Sequence, residues 1–192
     1  MKIAEQFNQK KVREQFLNNF KDQFHYQSIM AVPKIEKIVI NVCDKKMLRD
    51  KKLANVIQKD LTSITLQKPI LIKAKTSVSN FKLRKGMPIG FKVTLRSKLM
   101  AQFYYKLVNI VLPNTRDFYG LPAKSFDKKG SYAFGVKEQL VFPELSYDTS
   151  TYFFGMDIVI VTSAKTPLEA YHYLKATGLP LKPLPKKEIQ EK

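Results

Sequence analysis

Along this chain, segments with apolar residues at helical spacing take turns with short β-branched runs, and this alternation restricts the fold more than any other feature. From about Lys2 to Phe24, the residues Ile3, Phe7, Val12, Phe16, Leu17, Phe20 and Phe24 fall at roughly helical spacing and predict an amphipathic helix. Pro33 closes that region. Ile35, Lys37, Val39 and Asn41 then alternate with Glu36, Ile38, Ile40 and Val42, a β-branched run that reads as a strand. Helical spacing returns from about Asp50 to Ile64. A short strand follows around Ile70 to Lys75, then a long basic connection, then a strand from about Gly90 to Arg96.

Leu99 to Leu112 reads as a third helix ended by Pro113. After a loop from Asn114 to Ser131, two short strands are expected near Tyr132 to Val136 and Gln139 to Phe142. Met156 to Thr162 is the clearest apolar strand. The next helix carries its own boundary signals. Thr166 is the N-cap, Pro167 the first helical residue and Glu169 the partner in a capping box, while Gly178 and Pro180 stop it. These strand candidates and four helices predict an α+β fold, an antiparallel-rich sheet of about five strands with helices packed on one face and a long basic loop between two strands. No linker divides the 192 residues, so residues 1–180 read as one domain and 181–192 as a flexible charged tail.

Charge placement narrows the function. The 56 residues between Asp60 and Asp117 contain no acid and eleven basic groups, whereas the remaining 23 basic residues are set among 16 acidic ones. A uniformly lysine-rich composition would not clear acids from one window, and aligned Lys and Arg gain affinity for a nucleic-acid backbone by releasing its counterions. A solvated basic face is the blander alternative. No run of about 18 apolar residues is present, so no membrane partner is expected. The N-terminal residues lack an apolar signal core and include Glu5 and Glu14, which acid-poor transit peptides avoid. The protein is therefore expected to be made in the compartment where it works, or imported and stripped of its leader.

Catalysis has little support. The single cysteine, Cys43, excludes an intrachain disulfide and a cysteine zinc site, and it reads as a buried strand-end thiol. The two histidines, His25 and His172, lie far apart and read as structural. Gly86 and Gly90 are followed by no Gly-Lys-Ser/Thr, and no zinc-helix, nucleophile-elbow or dinucleotide fingerprint occurs. No catalytic residue, metal or cofactor is expected.

The richest segment is KAKTSVSNFKLRKGMPIGFKVTLR, from Lys73 to Arg96. Its Lys and Arg suit phosphates, and Ser77, Ser79 and Asn80 suit sugar or phosphate oxygens. Phe81 is placed to stack on a base, or else Phe81, Leu83 and Met87 pack the loop on itself. Gly86, Pro88 and Gly90 shape the turn and permit close backbone approach.

This segment resembles the hallmark loop of the large-subunit ribosomal protein five family, the bacterial and organellar type that binds 5S rRNA. RDFYGLPAKSFDKKGSYAFGVKEQLVFPE, from Arg116 to Glu144, resembles the same family, and VPKIEKIVINV, ITLQKP and Gly155-Met156-Asp157-Ile158 match in order. The resemblance implies a structural ribosomal role. It implies 5S rRNA binding in the central protuberance through Asn41, Gln67, Lys68, Lys92, Thr94 and Arg96. It further implies that Lys73, Lys75, Ser77, Phe81, Lys82, Arg84, Lys85 and Gly86 face large-subunit rRNA and P-site tRNA, with Arg116 and Lys124 as further phosphate contacts. Other central-protuberance proteins, and a small-subunit head protein at an intersubunit bridge, are the implied protein partners.

One departure stands out. Where the family usually carries a glycine-rich turn after the strand-end asparagine, this chain has Val42-Cys43-Asp44-Lys45-Lys46, which lacks glycine's access to φ > 0. Asp44 would repel phosphate, and Lys45 and Lys46 would offset it. With heavy Lys, Asn and Ile use, this points to an organellar and most readily a mitochondrial ribosome, with a plastid or the bacterial cytoplasm as alternatives. The competing reading is a free-standing RNA chaperone or regulatory RNA-binding protein.

Overall fold

A computed structural model describes residues 9–24, 26–44, 51–146 and 152–184. Its principal elements are α1 (Gln9–Phe24), β1 (Ile35–Cys43), α2 (Lys51–Thr65), β2 (Ile70–Lys73), β3 (Pro88–Leu95), α3 (Ser97–Lys106), β4 (Tyr132–Val136), β5 (Met156–Thr162) and α4 (Pro167–Ala176). The strands form one open antiparallel sheet in the order β2-β3-β1-β5-β4, the expected α+β architecture. Period-two burial explains the sheet. In β1, Ile38, Ile40 and Val42 are buried while the residues between them are more open, and β4 and β5 alternate in the same way. The chain falls into two compact units, one of residues through Ile38, Arg96–Phe134 and Val159 onward, the other of Val39–Leu95 and Gly135–Ile158.

The first unit is built on aromatic packing. Phe16, fully buried, stacks on Phe20 at 4.7 Å between ring centres and meets Tyr173 edge-on at 5.7 Å. Arg13 donates to the carbonyls of Ile29 at 2.5 Å and Val32 at 3.0 Å, which fixes the turn leading to β1. His172 lies among Phe20, Phe24 and Tyr171, and burial pushes its pKa down. His25 lies outside the described residues.

The cap of α4 forms with one change. Thr166 Oγ1 accepts the Glu169 N–H at 3.3 Å as expected. The Glu169 carboxylate reaches one residue further back than a capping box requires, taking the Lys165 N–H at 2.7 Å. Its other oxygen accepts the Tyr26 hydroxyl, so the buried carboxylate also ties residue 26 to α4.

Three sequence expectations are corrected. Gln139–Val141 is a 3-10 turn rather than a strand. The buried Gln139 side chain itself meets the backbone a strand would pair with, donating to Tyr152 O at 2.5 Å and accepting from Phe154 N at 2.8 Å. Pro113 does not end its helix. After α3 the chain widens into a π-helical turn over Leu107–Val111 and makes one more turn, Leu112–Asn114. Pro113 sits at the start of that last turn, where a missing N–H costs little. Cys43 is exposed, because the alternation of β1 turns Val42 inward and Cys43 outward. Leu181 pairs with Leu121, and Lys182 N donates to Leu121 O at 2.8 Å; residues 185–192 lie outside the described range.

In the second unit, Gly90 of β3 lies where an added Cβ would be 2.3 Å from the Val42 carbonyl oxygen. The atom in the way is backbone, so β1 and β3 would have to part. We expect Gly90→Ala to cost about 1–3 kcal/mol, the usual range for overpacking. Urea denaturation checks this, and an unchanged midpoint would contradict it. A second expectation concerns buried phenols. Burial pushes Tyr132 and Tyr173 up to about 12 from an ordinary 10, and Tyr104 higher still. Folding therefore favours their neutral forms. The stability they add is fully present below pH 10 and is lost as pH rises through 12. Phenolate absorbance should lag behind that of free tyrosine and appear together with loss of circular dichroism; ionisation near pH 10 in a folded chain would refute it.

Candidate nucleic-acid interface

β2 is an edge strand paired antiparallel with β3, in the register Ile70 with Lys92, Leu71 with Phe91 and Ile72 with Gly90. The register slips between Ile72 and Lys73, so Lys73 meets Pro88. Between the strands, residues 74–87 continue the hairpin as an ordered loop. Ala74 N donates to Met87 O at 2.8 Å, Gly86 N to Ala74 O at 3.0 Å, and Val78 and Leu83 exchange both backbone bonds at 3.0 and 3.1 Å. A 3-10 turn, Ser79–Phe81, forms the tip, and Lys82 follows it in the left-handed region with φ 55°.

Cations therefore stand on a framed scaffold. Lys73, Lys75, Lys82, Arg84 and Lys85 are all exposed. Ser77 has an internal job: its Oγ accepts the Lys85 N–H at 3.0 Å and so places Lys85. Phe81 is 64% exposed, which removes it from the loop's own packing, whereas Leu83 and Met87 are half-buried. The close approach expected at Gly90 is made to β1 of this chain.

Of the other expected contacts, Asn41, Gln67, Lys68, Lys92 and Thr94 lie at the base of the hairpin, in the second unit, and Arg96 in the first. Lys92 and Thr94 point away from the buried row Phe91, Val93 and Leu95. Asn41 likewise points away from Ile40 and Val42. Counting along antiparallel β1 and β3 from the approach of Gly90 to Cys43 sets Asn41 beside Lys92 on the same face. Gln67 and Lys68 lead into β2, two to three residues before Ile70, and so fall at the Thr94 end of the ladder. The N–H of Gln67 donates to Thr65 Oγ1 at 3.4 Å, and Leu66 between them holds φ 56°. Arg96 is exposed at the N-cap of α3. Arg116 and Lys124 are exposed in the first unit, Lys124 within a 3-10 turn of Ala123–Ser125.

The acid after β1 is not bare. The Tyr152 hydroxyl donates to Asp44 Oδ2, and that bond is the main reason the phenol is pushed up to about 12. Tyr152 is invisible as a partner in the sequence, because 108 residues separate the two side chains. Lys45 and Lys46 lie outside the described residues. Among the described residues no cluster of three or more His, Cys, Asp or Glu side chains could hold a metal, and no helix is long and apolar enough to cross a membrane.

Comparison with known proteins gives consistent matches. Residues 28–84 match the family model for ribosomal protein L5, and residues 88–181 match the model for the C-terminus of the same ribosomal family. The large ribosomal subunit protein uL5 of Halothermothrix orenii is 49% identical over 178 residues, covering 93% of this chain and 97% of that protein. The protein of the same name from Clostridium botulinum strain Loch Maree is 49% identical over 172 residues, covering 90% and 96%. The matched ranges take in both strands that frame the basic loop, and the relatives align over at least nine-tenths of the sequence, so the chain belongs to the ribosomal protein L5 family.

Proposed function

We propose that this chain is a structural constituent of the large ribosomal subunit that binds 5S rRNA and large-subunit rRNA in the central protuberance. Its role is architectural, as in the family, whose proteins are not enzymes. One observation carries the reading. The end of β2 and the framed loop that follows it expose five cations and an aromatic ring in a window with no acid. Cations on a preformed scaffold gain affinity from phosphate with little ordering cost. Phe81, standing out from the loop, suits stacking on an unpaired base.

In this reading Asn41, Gln67, Lys68, Lys92, Thr94 and Arg96 contact 5S rRNA, and the loop from Lys73 to Gly86 reaches large-subunit rRNA and P-site tRNA. Arg116 and Lys124 hold phosphates. The protein neighbours are others of the central protuberance and a small-subunit head protein across a bridge. Residues 1–180 act as one ribosomal-protein domain. The host ribosome is assigned to a mitochondrion on Lys, Asn and Ile usage and the replaced glycine turn. Co-sedimentation with mitochondrial ribosomes from fractionated cells supports that assignment, and recovery from bacterial ribosomes overturns it.

The main test is a salt-titrated binding assay with 5S rRNA, tRNA and an unrelated RNA of equal size. Selective 5S binding near physiological salt is the expected result. Equal, steeply salt-sensitive binding to all three would overturn the 5S assignment. The triple variant Lys82→Glu, Arg84→Glu, Lys85→Glu should flatten the dependence of log K on log salt by about one unit per lost phosphate contact. All three side chains are exposed, so the fold should be unaffected. An unchanged slope would remove the loop from the interface.

A further inference from the structure

The RDFYG turn, outside the basic loop, holds an aromatic ring that neither the fold nor the loop assignment uses. Tyr119 is 80% exposed. Single exposed aromatics are ordinary on protein surfaces. What sets this one apart is the rigidity of its support and the charge beside it.

Gly120 takes φ +90°, and an added Cβ would lie 3.3 Å from the Pro180 carbonyl oxygen, so the turn is pressed against the 179–182 segment. Leu121 N donates to Pro180 O at 2.9 Å, and Lys182 N donates to Leu121 O at 2.8 Å. Lys182 O accepts the Tyr171 hydroxyl at 3.1 Å, so both backbone groups of Lys182 are fixed. The Lys182 stem passes 3.4 Å from that same Cβ position and brings an exposed cation alongside the turn. Downstream, Tyr132 donates to Pro122 O at 2.9 Å, and exposed Lys124 follows. Upstream stands exposed Arg116. Asp117, at φ 52°, is the one acid between Asp60 and Asp127.

An exposed ring on a locked backbone, with the Lys182 stem beside its turn and two more exposed cations three residues before and five after it in the chain, has the makeup of a stacking platform for single-stranded nucleic acid. We propose that Tyr119 stacks on an unpaired base of large-subunit RNA while Arg116, Lys124 and Lys182 hold the adjoining phosphates, a second RNA contact separate from the basic loop. The inference rests on the RNA-binding reading above. A protein partner is the less favoured occupant, because the flank is cationic rather than apolar.

The sequence contains no tryptophan, which provides a direct test. Tyr119→Trp introduces a single indole at the platform, and Met30→Trp places one at another 80% exposed position as a control. Titration of the full chain with large-subunit rRNA should quench the first indole and leave the second unchanged. Tyr119→Ala should weaken binding roughly 5- to 150-fold, the range measured for losing one base stack, with Tyr119→Phe within about twofold of wild type. RNA binding through the loop with no change at the Tyr119→Trp indole would overturn the platform and leave the RNA-binding reading intact. Failure of the wild-type chain to bind any of the RNAs would overturn both. An emission change in assembled subunits that survives ribonuclease digestion would mean a protein partner, and would also overturn it.

Discussion

The backbone-to-backbone approach of β3 to β1 at Gly90 organises the hairpin and the sheet face beside it. A side chain there would stand 2.3 Å from the Val42 oxygen, so glycine at this one position allows the strands to close. Once they close, Phe91, Val93 and Leu95 turn inward while Lys92 and Thr94 turn outward. Strand register is an all-or-nothing property, since a slip of one residue would exchange those two rows. The outward position of Lys92 follows from this contact.

A second constraint is electrostatic. Eleven basic groups in an acid-free window repel one another and find no compensating carboxylate within that window. The loop answers with neutral hydrogen bonds instead of charge pairing: backbone bonds of Ala74 with Met87 and Gly86 and of Val78 with Leu83, and the Lys85 N–H donated to Ser77 Oγ. Cations held this way remain available to phosphate. In the first unit the opposite choice is made. The Glu169 carboxylate is buried and satisfied by Tyr26 and by the Lys165 N–H, and there charge serves the fold.

Much of the fold is legible in local pattern. β5 falls at Met156–Thr162 as its apolar run predicts, α4 begins at Thr166 and Pro167 as its cap signals require, and the basic loop lies between two strands. The departures share a cause. Gln139–Val141 has a strand-like composition, but beside one backbone bond from Gln139 N to Phe154 O the buried Gln139 amide makes the other bonds to residues 152 and 154, a contact no local window contains. Pro113 has the signature of a stop because the π-helical turn ahead of it has no local signature of its own. A free thiol is usually buried, yet strand parity puts Cys43 outside.

The candidate site divides in the same way. Which residues are cationic, where acids are excluded and where the hairpin must lie are properties of composition and period, and the sequence by itself determined them. Tertiary structure alone decided which of those residues face outward together, that Phe81 and Tyr119 are uncovered, that Asp44 is met by Tyr152, and that residues 179–182 back the Tyr119 turn. The physical reason is range. Periodicity and turn chemistry act over a few residues. Side-chain exposure and pairing are set by segments that folding brings together from far along the chain, 108 positions apart for Asp44 and Tyr152 and 143 for Tyr26 and Glu169.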